Sequence, residues 1–224
     1  MNPNNCNGEV KNGLCPGGND NKCCVNDTPT PSKGGKDCYN HSTIASAAVA
    51  FAWDTKKKGQ NSNGTKLYIA VKKAVIPNDS IFKSCDRGVA TAVRWSGADD
   101  GFPAGNTATQ DNYLKKSSKW TFIGNYDQNK SKLQPGDIVI TTEARRKTKN
   151  GHGHIVIYVG NAEVRKKYPN SSAEFVAASY QSYSPVCKDS KSVYNNDGYH
   201  IYRYNGNYNG NKKNAYTGCA SGTS

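Results

Sequence analysis

The hydrophobic pattern of this chain changes once, from helix-like in the first half to strand-like in the second. Three early segments carry apolar residues at helical spacing, and we predict helices at 42–53, 66–75 and 86–95. Ser42 or Thr43 is placed to cap the first of them, and Pro77 stops the second. Four later segments are short, rich in Ile, Val and Tyr, and predict strands at 137–142, 154–159, 174–179 and 199–204. Helices followed by strands indicate an α+β fold.

The cysteines are distributed unevenly, because five of the eight fall in the first 38 residues. They are Cys6, Cys15, Cys23, Cys24 and Cys38. The segment around them is rich in Gly, Asn and Pro and has no apolar periodicity, so covalent cross-links must hold its shape. Zinc is the alternative, but the segment contains neither a Cys-x-x-Cys pair nor a His. We therefore predict a disulfide-stapled segment and an oxidising compartment, as in a secreted protein.

Composition divides the chain into three regions. The Cys-rich segment and its linker cover 1–38, the periodic domain covers 39–205, and a tail rich in Gly, Asn and Lys covers 206–224. We expect bridges within the first region and one between Cys187 and Cys219, although sequence alone does not assign pairs. The opening residues do not form a signal peptide, and we expect a secretion signal to precede them.

The charge of the chain points to a polyanionic partner. Lys and Arg number 30 against 17 Asp and Glu, which gives a formal net charge of +13. Nucleic acid, an anionic membrane and an acidic cell-wall polymer all fit that charge. The longest apolar run, 44–53, is too short to span a membrane. Since the sequence contains no recognisable nucleic-acid-binding motif, charge alone supports that partner.

Two residues have the chemistry of a nucleophile and a base. Cys85 stands where the third helix begins, and free N–H groups there favour a thiolate of depressed pKa. His154 opens an apolar strand next to a glycine, where a substrate can approach closely. The alternatives are a buried or disulfide-bonded Cys85 and a His154 in a surface turn.

His152 and His154 also have the spacing of a metal-ligand pair. A zinc site needs at least one more ligand, and His41 and His200 are the remaining histidines. Neither lies in a recognisable partner motif. We therefore expect no metal and no cofactor.

The order of several motifs resembles the NlpC-type cysteine peptidases and their relatives, the CHAP amidases. A Cys begins a helix in Ser-Cys-Asp-Arg-Gly at 84–88, and 102–110 is similar to the loop that follows the nucleophile helix in that family. Leu-Gln-Pro-Gly-Asp opens a strand at 133–137, and a His-led strand runs through Tyr-Val-Gly-Asn to residue 161. The resemblance covers about 42–205.

The resemblance implies a papain-like core in which the N-terminal helices pack on an antiparallel sheet. It further implies a secreted, monomeric hydrolase that cleaves amide bonds in peptidoglycan stem peptides or cross-bridges. By the same analogy Cys85 is the nucleophile and His154 is the general base. The partner is then peptidoglycan or another anionic cell-wall polymer, with no specific nucleic acid.

This chain departs from the family pattern at two places. The family often has Asp-Cys-Ser-Gly, whereas Asp86 and Arg87 follow Cys85 here, and we expect both to border the substrate. The register that best fits the strand 174–179 puts Ala177 at the position of the residue that orients the His. We assign that role to Ser179, with Gln181 or a backbone carbonyl as alternatives. If none serves, the protein is a cell-wall or glycan-binding protein on an inactive fold.

Basic residues fill the loop before His154. They are Arg145, Arg146, Lys147 and Lys149. We predict that this loop forms a cationic rim that draws an anionic substrate toward Cys85, with Arg145 and His152 in contact with it. A solvated, flexible loop is the alternative. The segment from Tyr180 onward is rich in Tyr and can stack on sugars or bases, or form an amphipathic edge strand.

Overall fold

The computed structural model describes residues 9–12, 22–25, 42–54, 66–81, 84–148, 153–177, 185–189, 198–206 and 208. They fall in two compact units. The first contains an antiparallel pair of strands, β1 (Glu9–Asn12) and β2 (Lys22–Val25), in which Lys11 stands opposite Cys23. All described residues from 42 onward belong to the second.

The three predicted helices are confirmed as α1 (Ile44–Phe51), α2 (Lys66–Val75) and α3 (Cys85–Trp95). Thr43 is the cap of α1, because its hydroxyl accepts from the Ser46 N–H while the Ser46 hydroxyl accepts from the Thr43 N–H. All eight residues of α1 are buried, so this Ala-rich helix lies inside the domain.

The second half of the domain alternates strands with short helices. In chain order they are α4 (Thr107–Lys116), β3 (Trp120–Asn125), α5 (Tyr126–Asn129), β4 (Ile138–Thr141), α6 (Glu143–Thr148), β5 (Ile155–Tyr158), α7 (Asn161–Lys167), β6 (Phe175–Ala177), β7 (Val186–Lys188) and β8 (Tyr199–Tyr204). The four predicted strands appear as β4, β5, β6 and β8. Strands β3 to β8 form one antiparallel sheet in the order β3-β8-β4-β5-β6-β7, which agrees with the α+β prediction.

Alternating residues of the sheet build two apolar layers. Ile140, Ile155 and Ile157 are buried in the larger layer together with residues of α1 and α3. Val139 and Val156 point to the opposite face and join a smaller cluster. Helix α3 thus packs on β5, and this packing brings Cys85 and the beginning of β5 into one region.

The turn before β4 is fixed by charge and backbone. Gly136 has φ of 101°, which L residues other than Gly rarely adopt, and Asp137 follows it with only 1% of its surface exposed. The Asp137 carboxylate accepts two hydrogen bonds of 2.8 Å from Arg203 on β8. The Pro-Gly-Asp motif therefore has a structural role in setting the start of β4.

Cys187 on β7 is a free thiol, fully buried in the larger layer. Cys219 lies outside the described residues, and the predicted bridge between it and Cys187 stays a prediction. In the parts of the chain that the structure describes, no helix is long and apolar enough to cross a membrane.

Candidate active site

Cys85 is the first residue of α3, and its free thiol is half-buried against the larger apolar layer. The main-chain N–H of Ile155 lies within hydrogen-bonding reach of the sulfur, as do the N–H groups of Asp86 and of Cys85 itself. The helix start predicted to carry the nucleophile thus meets the strand start predicted to carry the base.

The direction of the Ile155 N–H explains this contact. The preceding residue, His154, bonds toward β4 through both its N–H and its carbonyl, and successive residues of a strand bond to opposite sides. The Ile155 N–H therefore points toward β6. The described β5–β6 pairing comprises Ile157 with Val176 and Tyr158 with Phe175, and the Ile155 N–H lies within reach of the Cys85 sulfur.

The main chain of His154 is held by Thr141. Its N–H donates to the Thr141 hydroxyl at 2.9 Å, and its carbonyl accepts from the Thr141 N–H at 2.9 Å. The Thr141 carbonyl in turn accepts from Arg146, whose Nη2 donates to Oδ2 of the fully buried Asp111 at 2.8 Å. A buried ion pair between α4 and α6 thereby fixes the segment that carries His154.

Gly153 lets α4 approach this segment. A Cβ at Gly153 would overlap the side chain of Thr107, the first residue of α4. On the other side of the site, the Gln110 amide donates to the carbonyls of Asp86 and Pro103, each at 2.9 Å. The segment 102–110, predicted to follow the nucleophile helix, therefore contacts both α3 and Gly153.

Burial keeps both reactive groups neutral. Burial, together with the positive charges of Lys188 and Arg145, lowers the pKa of His154 to about 4. Burial likewise raises the pKa of the Cys85 thiol, which outweighs the lowering by the N–H groups around the sulfur. The expected depressed thiol pKa is therefore wrong, and the resting site holds a thiol and an uncharged imidazole.

Asp86 and Arg87 belong to a cluster of charges between α2 and α3. Arg87 pairs with Asp86 and, through Nε at 3.0 Å, with Asp79, which also pairs with the fully buried Lys72 at 3.3 Å. Asp86 is 6% exposed. These contacts anchor the first turn of α3, and contact of Asp86 or Arg87 with a substrate stays a prediction.

The predicted cationic rim is smaller than the sequence suggested. Arg146 is buried in its pair with Asp111, so its inclusion in the rim is wrong. Arg145 is half-buried, lies with its guanidinium carbon 4.8 Å from the centre of the Tyr199 ring, and acts on His154 by its charge. Lys147 is exposed and pairs with Glu143 at 2.8 Å.

Several predicted site residues lie outside the described residues. They are His152, Ser179, Gln181 and Lys149. The register of the described strands pairs Val176 with Ile157, so Ala177 is level with Val156 rather than with His154. The position of the orienting residue, at Ala177, Ser179, Gln181 or a backbone carbonyl, stays a prediction. Among the described residues, no group of three His, Cys, Asp or Glu side chains is arranged to hold a metal.

Sequence reasoning missed Thr141, Asp111, Gln110 and Lys188. Thr141 is the last residue of the apolar strand β4, and a strand end is a common place for a functional side chain, so this signal was available. The other three act across elements that are distant in sequence, and no local pattern marks them.

Comparison with protein-family models, curated proteins and solved structures finds no match for this chain.

Proposed function

We propose that this protein is a cysteine hydrolase that cleaves amide bonds in peptidoglycan, with a papain-like core of the NlpC and CHAP type. One observation carries the proposal: the Cys85 thiol lies at a helix start and against the N–H of Ile155, the residue that follows His154. A cysteine at a helix start, with main-chain N–H groups around its sulfur and a histidine on the adjoining strand, supplies the kinds of group that acyl transfer by cysteine requires.

In the proposed reaction, neutral His154 accepts the thiol proton while the Cys85 sulfur attacks the amide carbonyl carbon. The negative charge passes to the carbonyl oxygen, where the N–H groups of Cys85 and Asp86 stabilise it. The C–N bond then breaks, and the imidazolium returns its proton to the leaving amine. Water hydrolyses the remaining thioester with His154 again as base, which releases the acid and restores the thiol.

The charges around His154 fit this sequence of steps. Burial, and after it the charges of Lys188 and Arg145, disfavour the imidazolium in the resting site, so the base is unprotonated at neutral pH. An anionic substrate that approaches these cations reduces their effect, and this favours proton transfer to His154 only when a substrate is bound. Such a response suits the carboxylate-rich stem peptides of peptidoglycan.

The +13 net charge supports an anionic polymer as the target, and the Cys-rich N-terminal segment supports secretion. We also propose, from the resemblance, that the protein acts as a monomer.

A binding protein on an inactive peptidase fold is the second candidate. The raised pKa of the Cys85 thiol favours it, because a buried thiol is a weaker nucleophile than a thiolate. In that case the protein sediments with cell walls and releases no amino groups.

The test is release of free amines from purified peptidoglycan by wild type, Cys85→Ala and His154→Ala. Cys187→Ala is the matched control, since it removes the other thiol that the described residues leave free. We expect hydrolysis by wild type and Cys187→Ala alone, with mass spectrometry of the products naming the bond. Equal amine release by wild type and Cys85→Ala contradicts the proposal, and wall binding without release by any variant supports the second candidate.

A further inference from the structure

We propose that a groove beside α4 binds a pyranose ring of the glycan strand. The groove, called here the Phe122 groove, has a volume of about 300 Å³ and lies between α4 and strands β3 and β8. Its lining residues are Leu114, Lys115, Trp120, Phe122, His200 and Tyr202. This volume is at the lower end for ligand sites and suits one ring better than an extended chain.

An exposed aromatic ring marks the Phe122 groove. Phe122 lies on the edge strand β3 with 53% of its surface exposed. Its ring centre is 5.1 Å from that of His200 and 5.5 Å from that of Tyr202, the residue opposite it on β8. These neighbours hold the ring in place, so Phe122 offers a fixed apolar face for stacking.

His200 supplies polar groups of the kind that a hydroxyl needs. Burial lowers its pKa, and the charges of Lys115 and Arg146 act in the same direction, against Asp111. The imidazole is therefore neutral at neutral pH, with one nitrogen donating and the other accepting. Its Nδ1 is buried without a hydrogen-bond partner among the described residues, so Nε2 is the nitrogen that a ligand in the groove can reach. A sugar hydroxyl can both donate and accept, and it fits this neutral ring.

The charge of the Phe122 groove favours a sugar over a nucleic acid. Lys115 is the cation of its lining, and its Nζ is 2.8 Å from Oδ2 of Asp111. That pairing leaves little positive charge to hold a phosphate backbone, which dominates nucleic-acid affinity. A pyranose has an apolar face for Phe122 and a neutral hydroxyl rim for His200.

The position of the groove relates it to Cys85, and this step rests on the proposed function. His200 stands opposite Ile140 on β4, and Ile140 stands opposite Ile155 on β5. Two strand spacings, about 10 Å, therefore separate His200 from Ile155. Tyr202 and Cys85 both pack against the larger apolar layer, so groove and thiol lie on one face of the sheet. A glycan ring in the groove leaves its stem peptide free to reach Cys85.

The test uses calorimetric titration of the full chain with tetra-N-acetylchitotetraose, in a Cys85→Ala background. We expect binding that Phe122→Ala weakens about tenfold, as loss of one stacking ring does. Phe122→Tyr keeps the ring and retains binding. Ile81→Ala is the matched control, since Ile81 is also a large exposed apolar residue, at 49%.

The proposal fails if millimolar tetrasaccharide does not bind, or if Phe122→Ala and Ile81→Ala bind equally. It also fails if an oligonucleotide displaces the sugar and Phe122→Ala weakens oligonucleotide binding more than it weakens sugar binding. Thermal unfolding of each variant verifies that it is folded. Sugar binding that depends on Phe122, in a protein that releases no amines, overturns the proposed hydrolase and leaves the sugar site standing.

Discussion

His154 and Thr141 are joined by two hydrogen bonds of 2.9 Å, one from the His154 N–H to the Thr141 hydroxyl and one from the Thr141 N–H to the His154 carbonyl. The proposed base is thus positioned through its main chain by the end of β4. These main-chain bonds position His154 independently of any side chain on β6 that orients its ring.

Replacing Thr141 by Val tests this positioning role. The change removes the acceptor of the His154 N–H, and we expect it to cost about 1–3 kcal/mol of unfolding free energy. We expect a roughly tenfold fall in kcat with KM unchanged, because the base is displaced while binding is not. Thr141→Ser keeps the hydroxyl and is the control. Equal kcat in Thr141→Val and wild type contradicts the role, and urea unfolding gives the stability.

Gly153→Ala tests the close approach of α4. The added Cβ overlaps Thr107, so we expect a loss of about 1–3 kcal/mol in unfolding free energy. Thr107→Gly removes the obstructing side chain. Gly153→Ala should therefore lower the unfolding free energy less in the Thr107→Gly background than in wild type. A double-mutant cycle from denaturant unfolding measures this difference. Additive costs would show that the two residues do not meet.

The elements with strongly apolar sequences were predicted correctly. Helix α1 and strands β4 and β5 are almost wholly buried, and their apolar runs make them predictable from the sequence. Helix α4 is largely polar with four buried positions, and β3 is an edge strand with an exposed Phe122, so neither has a strong pattern. These two elements line the Phe122 groove, which explains why sequence reasoning did not find it.

At the site, the sequence located Cys85 and His154 but not their electrostatics. The helix start at Cys85 correctly indicates N–H groups around the sulfur. How deeply the thiol is buried depends on packing against residues far away in the chain, and that burial reverses the expected pKa shift. The pairing of Arg87 with Asp79 was likewise beyond sequence reasoning, since Asp79 belongs to the segment after α2.

The low pKa of His154 predicts an unusual pH profile. A base that must be unprotonated loses activity as pH falls through its pKa, so the acidic limb of kcat/KM should lie near pH 4 rather than 6.5. Removal of a nearby cation favours the imidazolium, and Arg145→Gln should move that limb to higher pH. Lys147→Gln is the control, because Lys147 is exposed and paired with Glu143.

Rates on a soluble peptide substrate between pH 3 and 9 measure this profile. If the acidic limb of the wild-type kcat/KM profile lies above pH 6, the pKa of His154 is not lowered as described. If Arg145→Gln leaves the limb at the same pH, the charge of Arg145 does not act on His154. Alkylation of Cys85 in Cys187→Ala, followed by mass spectrometry of the peptide that contains Cys85, provides a second measurement. Its rate should still rise above pH 9, since burial raises the pKa of Cys85 above its ordinary value.

Salt dependence tests whether Arg145 recruits an anionic polymer. Added salt screens attraction between a cationic site and a polyanion, with a Debye length of about 10 Å at 0.1 M and about 3 Å at 1 M. Hydrolysis of intact walls should therefore fall more steeply with salt than hydrolysis of a small peptide. Arg145→Gln should narrow the difference between the two substrates, while Lys147→Gln leaves it unchanged because Glu143 already offsets that charge. Equal salt sensitivity on walls and peptide would mean that the charge around His154 tunes the base without drawing in the polymer.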